Sequence, residues 1–179
     1  MKKFKDSREL RLANHDYSSE GYYFLTFNTK NKAPFLGKII KGMMSLNELG
    51  CIAAKFWQQI PNYFSNVILD EWIIMPNHIH GIIQLSEFCG ATPWSGPTEP
   101  NRNKFCQFGD MVPKSISSII NQFKGSVKRW ANDNGHSYFF WQSRFYDRII
   151  RSEDELNRIR QYIRNNPMKW ELQKEGLAD

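Results

Sequence analysis

The sequence predicts an α+β fold, with one antiparallel sheet under helices arranged on a split βαβ plan. Three observations carry this. Short apolar or alternating segments are interleaved with longer ones whose apolar residues recur every three or four positions. Their order is β-α-β-β-α-β, followed by a last helix. One irregular stretch interrupts them, but no second core follows it, so residues 1–179 read as a single domain.

After a basic, polar opening from Lys2 to Arg11, Tyr22-Tyr23-Phe24-Leu25-Thr26-Phe27 reads as the first strand. Phe35 to Met44 reads as a small inserted hairpin turning at Lys41-Gly42. Ser45 and Glu48 have capping-box spacing. Leu49, Ile52, Ala53, Phe56, Trp57 and Ile60 then form one helical stripe, which Pro61 is expected to close. Asn66 to Met75 and His78 to Leu85 are the next strands, separated by the turn at Pro76-Asn77. From Ser86 to Pro113 there are four prolines and no periodicity, which marks a long irregular loop of unassigned role. Ile116, Ile119, Ile120, Phe123, Val127 and Trp130 define the second helix, with Lys124 and Lys128 on its flank one turn apart. Phe145 to Ile150 is a strand, and Ser152 with Glu155 is a further capping box. Leu156, Ile159 and Ile163 stripe the last helix, which Pro167 is expected to end before a poorly ordered tail. The plan is ferredoxin-like: helices on one face of the sheet, plus a C-terminal helix.

Composition narrows the function classes. A net charge of +6 and a pI near 9.2 favour a polyanionic partner, because Lys and Arg replace counterions condensed on phosphates, though they also suit a basic protein kept soluble by its charge. Cys51, Cys89 and Cys106 are too few and too scattered for a disulfide framework or a Cys-rich zinc site, which fits a reducing cytoplasm. No apolar run approaches the roughly 18–20 residues of a membrane span, and the N-terminus lacks a signal-peptide pattern.

The chemistry concentrates in Met75-Pro76-Asn77-His78-Ile79-His80-Gly81. Side chains two apart on a strand leave the same face, so His78 and His80 can converge on one cation while Ile79 enters the core. On the last helix, at 100° per residue from Leu156, Tyr162 falls near 240° and Asn166 near 280°, adjacent on the flank of the stripe. Taken alone, each feature has a plainer meaning. Two histidines on a strand can simply hydrogen-bond, a helical tyrosine is usually core or surface, and an Asn before Pro is usually a helix stop. Arg144, Arg148, Arg151, Arg158, Arg160 and Arg164 would be an ordinary solvated face. Together they make a coherent site. Two imidazoles and an amide oxygen leave positions open on a divalent ion that polarises a phosphodiester, and a phenol can attack phosphorus to form a covalent intermediate. Basic residues would hold flanking phosphates, and Trp141, Phe145 and Tyr146 would stack on unpaired bases.

These residues resemble the single-tyrosine HUH transposases, specifically the transposases associated with repetitive extragenic palindromes. The likeness runs through Ser7-Arg8-Glu9-Leu10-Arg11-Leu12 with Asp16-Tyr17-Ser18, through Tyr23-Phe24-Leu25-Thr26, and through Met75 to Ile83. It continues in Trp141-Gln142 and in Tyr162 with Asn165-Asn166-Pro167. The resemblance implies site-specific cleavage and rejoining of single-stranded DNA beside a hairpin. His78 and His80 would be the histidine ligands, Asn166 the third ligand where related enzymes carry Gln, and the metal Mg2+ or Mn2+. Tyr162 would be the nucleophile, ending on a 5′ phosphate. Arg8, Arg11, Lys124, Lys128, Arg144, Arg148, Arg151 and Arg158 are the expected DNA contacts. The protein would act as a monomer or homodimer in the cytoplasm, needing neither a membrane nor another protein. A rival reading is an RNA-recognition-like sheet that binds single strands without chemistry, but its aromatic signature is not evident. Barrel hydrolases need roughly 250 residues, and a histidine-triad enzyme would need a further His where Ile82 stands.

Overall fold

The computed structural model describes residues 16–86 and 115–174. Arg8, Arg11 and the N-terminal motif lie outside the described residues, as does all of the expected 86–113 loop except Ser86. The elements are β1 (Gly21–Asn28), a 3-10 turn (Lys30–Lys32), β2 (Gly37–Ile40), β3 (Met43–Leu46), α1 (Glu48–Gln58) and α2 (Ile60–Tyr63). They continue with β4 (Val67–Ile74), β5 (His78–Leu85), α3 (Ile116–Asp133), β6 (Tyr146–Ile150) and α4 (Glu153–Lys174). The main sheet has the order β4-β5-β1-β6, antiparallel throughout, and β2-β3 is a separate hairpin. This is the ferredoxin-like arrangement expected from the element order.

Strand alternation divides the molecule into two apolar layers. Tyr23, Leu25 and Phe27 of β1 are fully buried in one cluster with Trp57 of α1 and Ile119, Ile120, Phe123 and Val127 of α3. The Phe27 ring meets Trp57, Phe123 and Trp141 at centroid distances of 5.8, 5.5 and 5.5 Å. Tyr22 and Phe24 belong to the other face, where Ile82, Ile150, Leu156, Ile159 and Ile163 pack beneath α4. The sheet is therefore covered by α1 and α3 on one side and by α4 on the other.

Four local expectations are corrected. The cap of α1 is Asn47, whose side chain accepts from the Gly50 N–H, whereas Ser45 is engaged in β3 opposite Lys38. Pro61 does not close a helix; it sits in the first turn of the short α2, where a missing N–H costs nothing. Pro167 does not end α4, which runs through it to Lys174. Residues 168–174 are accordingly helix, not a poorly ordered tail. The capping box at its start forms as expected on one side: Ser152 Oγ accepts from the Glu155 N–H at 3.2 Å, while Glu155 reaches back to the Arg151 N–H at 3.1 Å. Lys41 and Gly42, with φ of 51° and 71°, make the double left-handed turn that suits a two-residue hairpin.

Candidate active site

Two hairpin-end features aim the histidines. The β4–β5 turn is closed by the Met75 N–H on the His78 carbonyl at 2.8 Å, so His78 is the first residue of β5. Segment 29–36 holds that turn from outside. Thr29 donates its N–H and Oγ1 to the Asn77 carbonyl at 2.9 and 3.0 Å, and Leu36 donates to the Pro76 carbonyl at 3.0 Å. Register then places His80 opposite Thr26 and His78 opposite Asn28 on the face that α4 covers. Ile79 and Gly81 point the other way, toward the main core. An added Cβ at Gly81 would lie 2.4 Å from Trp57 Cζ2, so only glycine lets the indole pack directly under the strand.

Each imidazole has its own hydrogen-bond partner. His78 Nδ1 lies 2.6 Å from Asn77 Oδ1, an oxygen that only accepts, so Nδ1 carries the proton and Nε2 a lone pair. His80 Nδ1 lies 2.8 Å from Thr26 Oγ1. The Asn77 amide is in turn fixed by donating to the Lys32 carbonyl at 3.0 Å. The two Nε2 atoms face each other at 3.1 Å. Burial, then the charge of Lys32, lowers the His78 pKa to about 4. Burial, then His78, lowers that of His80 to about 3. Both rings are therefore neutral near pH 7, the form that ligates a metal.

Helix α4 brings in the tyrosine. Tyr162 Oη is 3.4 Å from His80 Nε2, and the ring stands edge-on to Phe24 at 6.2 Å. The residue is 40% exposed, so the phenol is held yet reachable. Asn166, one turn on, is 8% exposed, and its amide makes no hydrogen bond with any described residue. The helix is secured to an irregularity in β4 between Leu69 and Trp72. There Asp70 receives Arg160 through two bonds of 2.8 and 2.5 Å, and Glu71 receives Arg164 at 2.6 Å. The Arg160 hydrogen bond holds the Asp70 carboxyl below its ordinary pKa.

The donor set fits a divalent cation. Two ring nitrogens 3.1 Å apart have the separation of neighbouring ligands on one ion, each bonded at roughly 2.0–2.1 Å. The Nδ1 partners Asn77 and Thr26 are the outer hydrogen bonds that commonly orient ligating imidazoles. The Asn166 amide, which hydrogen-bonds to no described residue, is the candidate for a third donor. Among the described residues no group of three His, Cys, Asp or Glu side chains is placed to hold a metal.

The structure brings His78, His80 and Tyr162 together and sets Asn166 on the same helix. The basic residues differ in their surroundings. Lys124 is buried, its ammonium donating to the Gln142 carbonyl at 2.6 Å, and burial lowers its pKa to about 8. Lys128 is half-buried and donates to the Ser137 carbonyl at 2.9 Å. Arg144, Arg148, Arg151 and Arg158 are exposed. Arg148 pairs with Glu155 at 2.6 Å, and Arg158 Nε donates to the Asp154 carbonyl at 3.2 Å. Of the expected stacking residues, Trp141 packs inward against Phe139 and donates to the Lys124 carbonyl, while Tyr146 is exposed. Sequence reasoning missed Thr26, Asn77, Lys169 and Trp170. The last two lie on the continuation of α4: Lys169 Nζ is 5.6 Å from the Tyr162 ring, and the Trp170 ring is 5.7 Å from that of His78. Helical spacing from Tyr162 and Asn166 would have found both, had Pro167 not been read as a stop.

With that geometry in place, comparison with solved structures defines the fold class. A REP-associated tyrosine transposase bound to a REP hairpin matches with a TM-score of 0.58 and 19% identity, covering 89% of this chain and 73% of that one. The chain has the fold of that transposase. A crystal structure from Deinococcus radiodurans, described as a transposase by assignment only, has a TM-score of 0.47 and 18% identity over 87% of this chain and 95% of that one, too distant to add weight. In sequence, an uncharacterised protein of Haemophilus influenzae is 40% identical over 164 residues, 92% of this chain and 89% of its own. This chain belongs to one family with that Haemophilus protein. No family model matches it.

Proposed function

We propose that this chain is a transposase-like enzyme that cuts and rejoins single-stranded DNA beside a hairpin, with Tyr162 as nucleophile. The observation that carries the reading is the phenol of Tyr162, 3.4 Å from a buried neutral His80 that itself faces His78 at 3.1 Å. The Tyr162 oxygen attacks phosphorus, the bond to the 3′ oxygen breaks, and the 5′ phosphate remains on tyrosine. The phenolic proton passes to solvent and the departing 3′ oxygen takes one up. One ester replaces another, so the reverse attack by a 3′ hydroxyl reseals DNA without an external energy source. His78, His80 and Asn166 would hold Mg2+ or Mn2+, which as a Lewis acid supplies charge stabilisation at the phosphate. Arg144, Arg148, Arg151 and Arg158 supply exposed positive charge for the DNA backbone.

The test is incubation with a panel of single-stranded hairpin oligonucleotides and Mg2+ or Mn2+, followed by a denaturing gel. The expected result is a covalent protein–DNA adduct that is absent with EDTA and absent in Tyr162→Phe. Failure of the wild type to form any adduct across the panel, or an adduct that survives Tyr162→Phe, would sink the reading.

A further inference from the structure

One surface feature is left over by this site. In the run Tyr138-Phe139-Phe140-Trp141, Phe139 is fully buried and Trp141 packs beside it, yet Tyr138 and Phe140 remain 57% and 45% exposed. Large aromatics left in water are poor value for folding, so a cluster of them is informative. Two ammonium groups gather on the Phe140 ring: Lys128 Nζ at 3.6 Å and Lys30 Nζ at 5.2 Å from its centroid. Among the described residues neither lysine, nor Lys32, has a carboxylate partner. Glu48 is the acidic group at the border of the cluster, and it is engaged with His136 at 3.3 Å.

This cluster is continuous with the candidate site. The Lys30 N–H bonds to the Phe140 carbonyl at 2.8 Å, Thr29 bridges Trp141, and the Lys32 carbonyl receives the Asn77 amide beside His78. Asn31 and Lys32 are consecutive non-glycine residues with φ of 56° and 52°. Such a conformation costs energy and persists where the surroundings enforce it, often at ligand-binding turns. Here it brings a lysine close enough for its charge to act on His78.

We propose that Lys128, Lys30 and Lys32, arranged around Phe140 and Tyr138, form a track for an unpaired nucleic-acid strand leading to Tyr162. The ammonium groups neutralise successive phosphates, and Tyr138 offers a face for a base. The inference rests on single-stranded DNA being the substrate, and it names the residues that hold the strand outside the reacting centre.

The test is fluorescence anisotropy in EDTA, so that cleavage does not intervene, with two labelled DNAs: a blunt hairpin and the same hairpin with a ten-nucleotide unpaired extension. For the extended DNA, Lys30→Gln with Lys128→Gln should lower the salt dependence, log K against log salt, by about 1.4, since each phosphate contact on a single strand contributes about 0.7. Tyr138→Ala should weaken it by roughly 5- to 150-fold, the range for loss of one stacked base. The blunt hairpin should bind all variants like wild type. Lys30→Gln alone, whose ammonium makes no hydrogen bond to a described residue, should lower the slope by about 0.7 and guards against a folding artefact. Unchanged slopes, as expected if the patch instead docks an acidic protein, overturn the track, as does equal loss on both DNAs. Adduct formation by wild type, assayed separately, tells the two ideas apart: no adduct sinks the enzymatic reading, whereas an adduct with unchanged slopes sinks the track alone.

Discussion

Gly81 and Trp57 make the packing under the histidine strand directly testable. Gly81→Ala puts a methyl 2.4 Å from Cζ2 and 2.9 Å from Cη2 of Trp57, well inside contact distance. The indole cannot retreat, because Phe27, Phe123 and Trp72 surround it at 5.8, 5.4 and 6.5 Å. Overpacking of this kind costs about 1–3 kcal/mol. At roughly 2–4 °C per kcal/mol for a domain of this size, Tm should fall by about 2–12 °C. A phenyl ring at position 57 ends short of both offending atoms. It also removes the indole Nε1–H, which is buried with no partner among the described residues and so carries its own penalty. Trp57→Phe should therefore cost clearly less than the roughly 3–5 kcal/mol of a Trp→Ala change. The double variant should be more stable than the sum of the singles by about 1 kcal/mol or more. Thermal or urea unfolding of the four proteins measures this cycle. Strict additivity, or a Gly81→Ala protein as stable as wild type, would refute the close-approach explanation of Gly81.

Other expectations concern the site itself. Thr26→Val and Asn77→Ala each delete the partner of one imidazole Nδ1, and Mn2+ affinity by titration calorimetry should drop about 10- to 100-fold, the usual effect of losing an outer hydrogen bond. Asn166→Ala should weaken the same binding while Asn166→Asp retains it; an Ala variant that binds Mn2+ like wild type excludes Asn166 as a ligand. Asp70 titrates below its ordinary range because Arg160 bonds its charged form, so its contribution is present above about pH 4 and lost as pH falls through the native value. Hydrogen exchange over α4 should accelerate in that acid window, and Asp70→Asn should show the faster rate already at pH 7.

What was legible in the residues and what was not follow from range. Strand β1, the β4–β5 hairpin and the apolar stripes of α1 and α3 are local patterns, and the histidine pair inherits its direction from strand alternation alone. The start of α4 was readable because Ser152 and Glu155 are three apart. Register was not: that Thr26 sits opposite His80 depends on a pairing across 54 positions of sequence. The fate of Lys124 was equally hidden, since its burial requires the Gln142 carbonyl to arrive from another segment. Pro167 misled because a proline stop is a local rule, whereas packing beyond it holds the helix together: Trp170 against His78, and the region of Met168 and Glu171 against the hairpin tip at Gly42. At Ser45 and Asn47 the competition was between two capping residues, and pairing in β3 took the first.

The clamp of α4 onto β4 has a mechanical meaning. Arg160 and Arg164 flank Tyr162 by two residues on each side, and both are tied to carboxylates of the sheet that carries the histidines. Eight residues farther on, about 12 Å along the same unbroken rod, Trp170 rests on His78. The tyrosine is thus tethered to the sheet on both sides along the helix. Under the proposed cycle of breakage and resealing, such tethering would keep the severed 5′ end parked at one address and leave the free 3′ end of the DNA as the travelling partner.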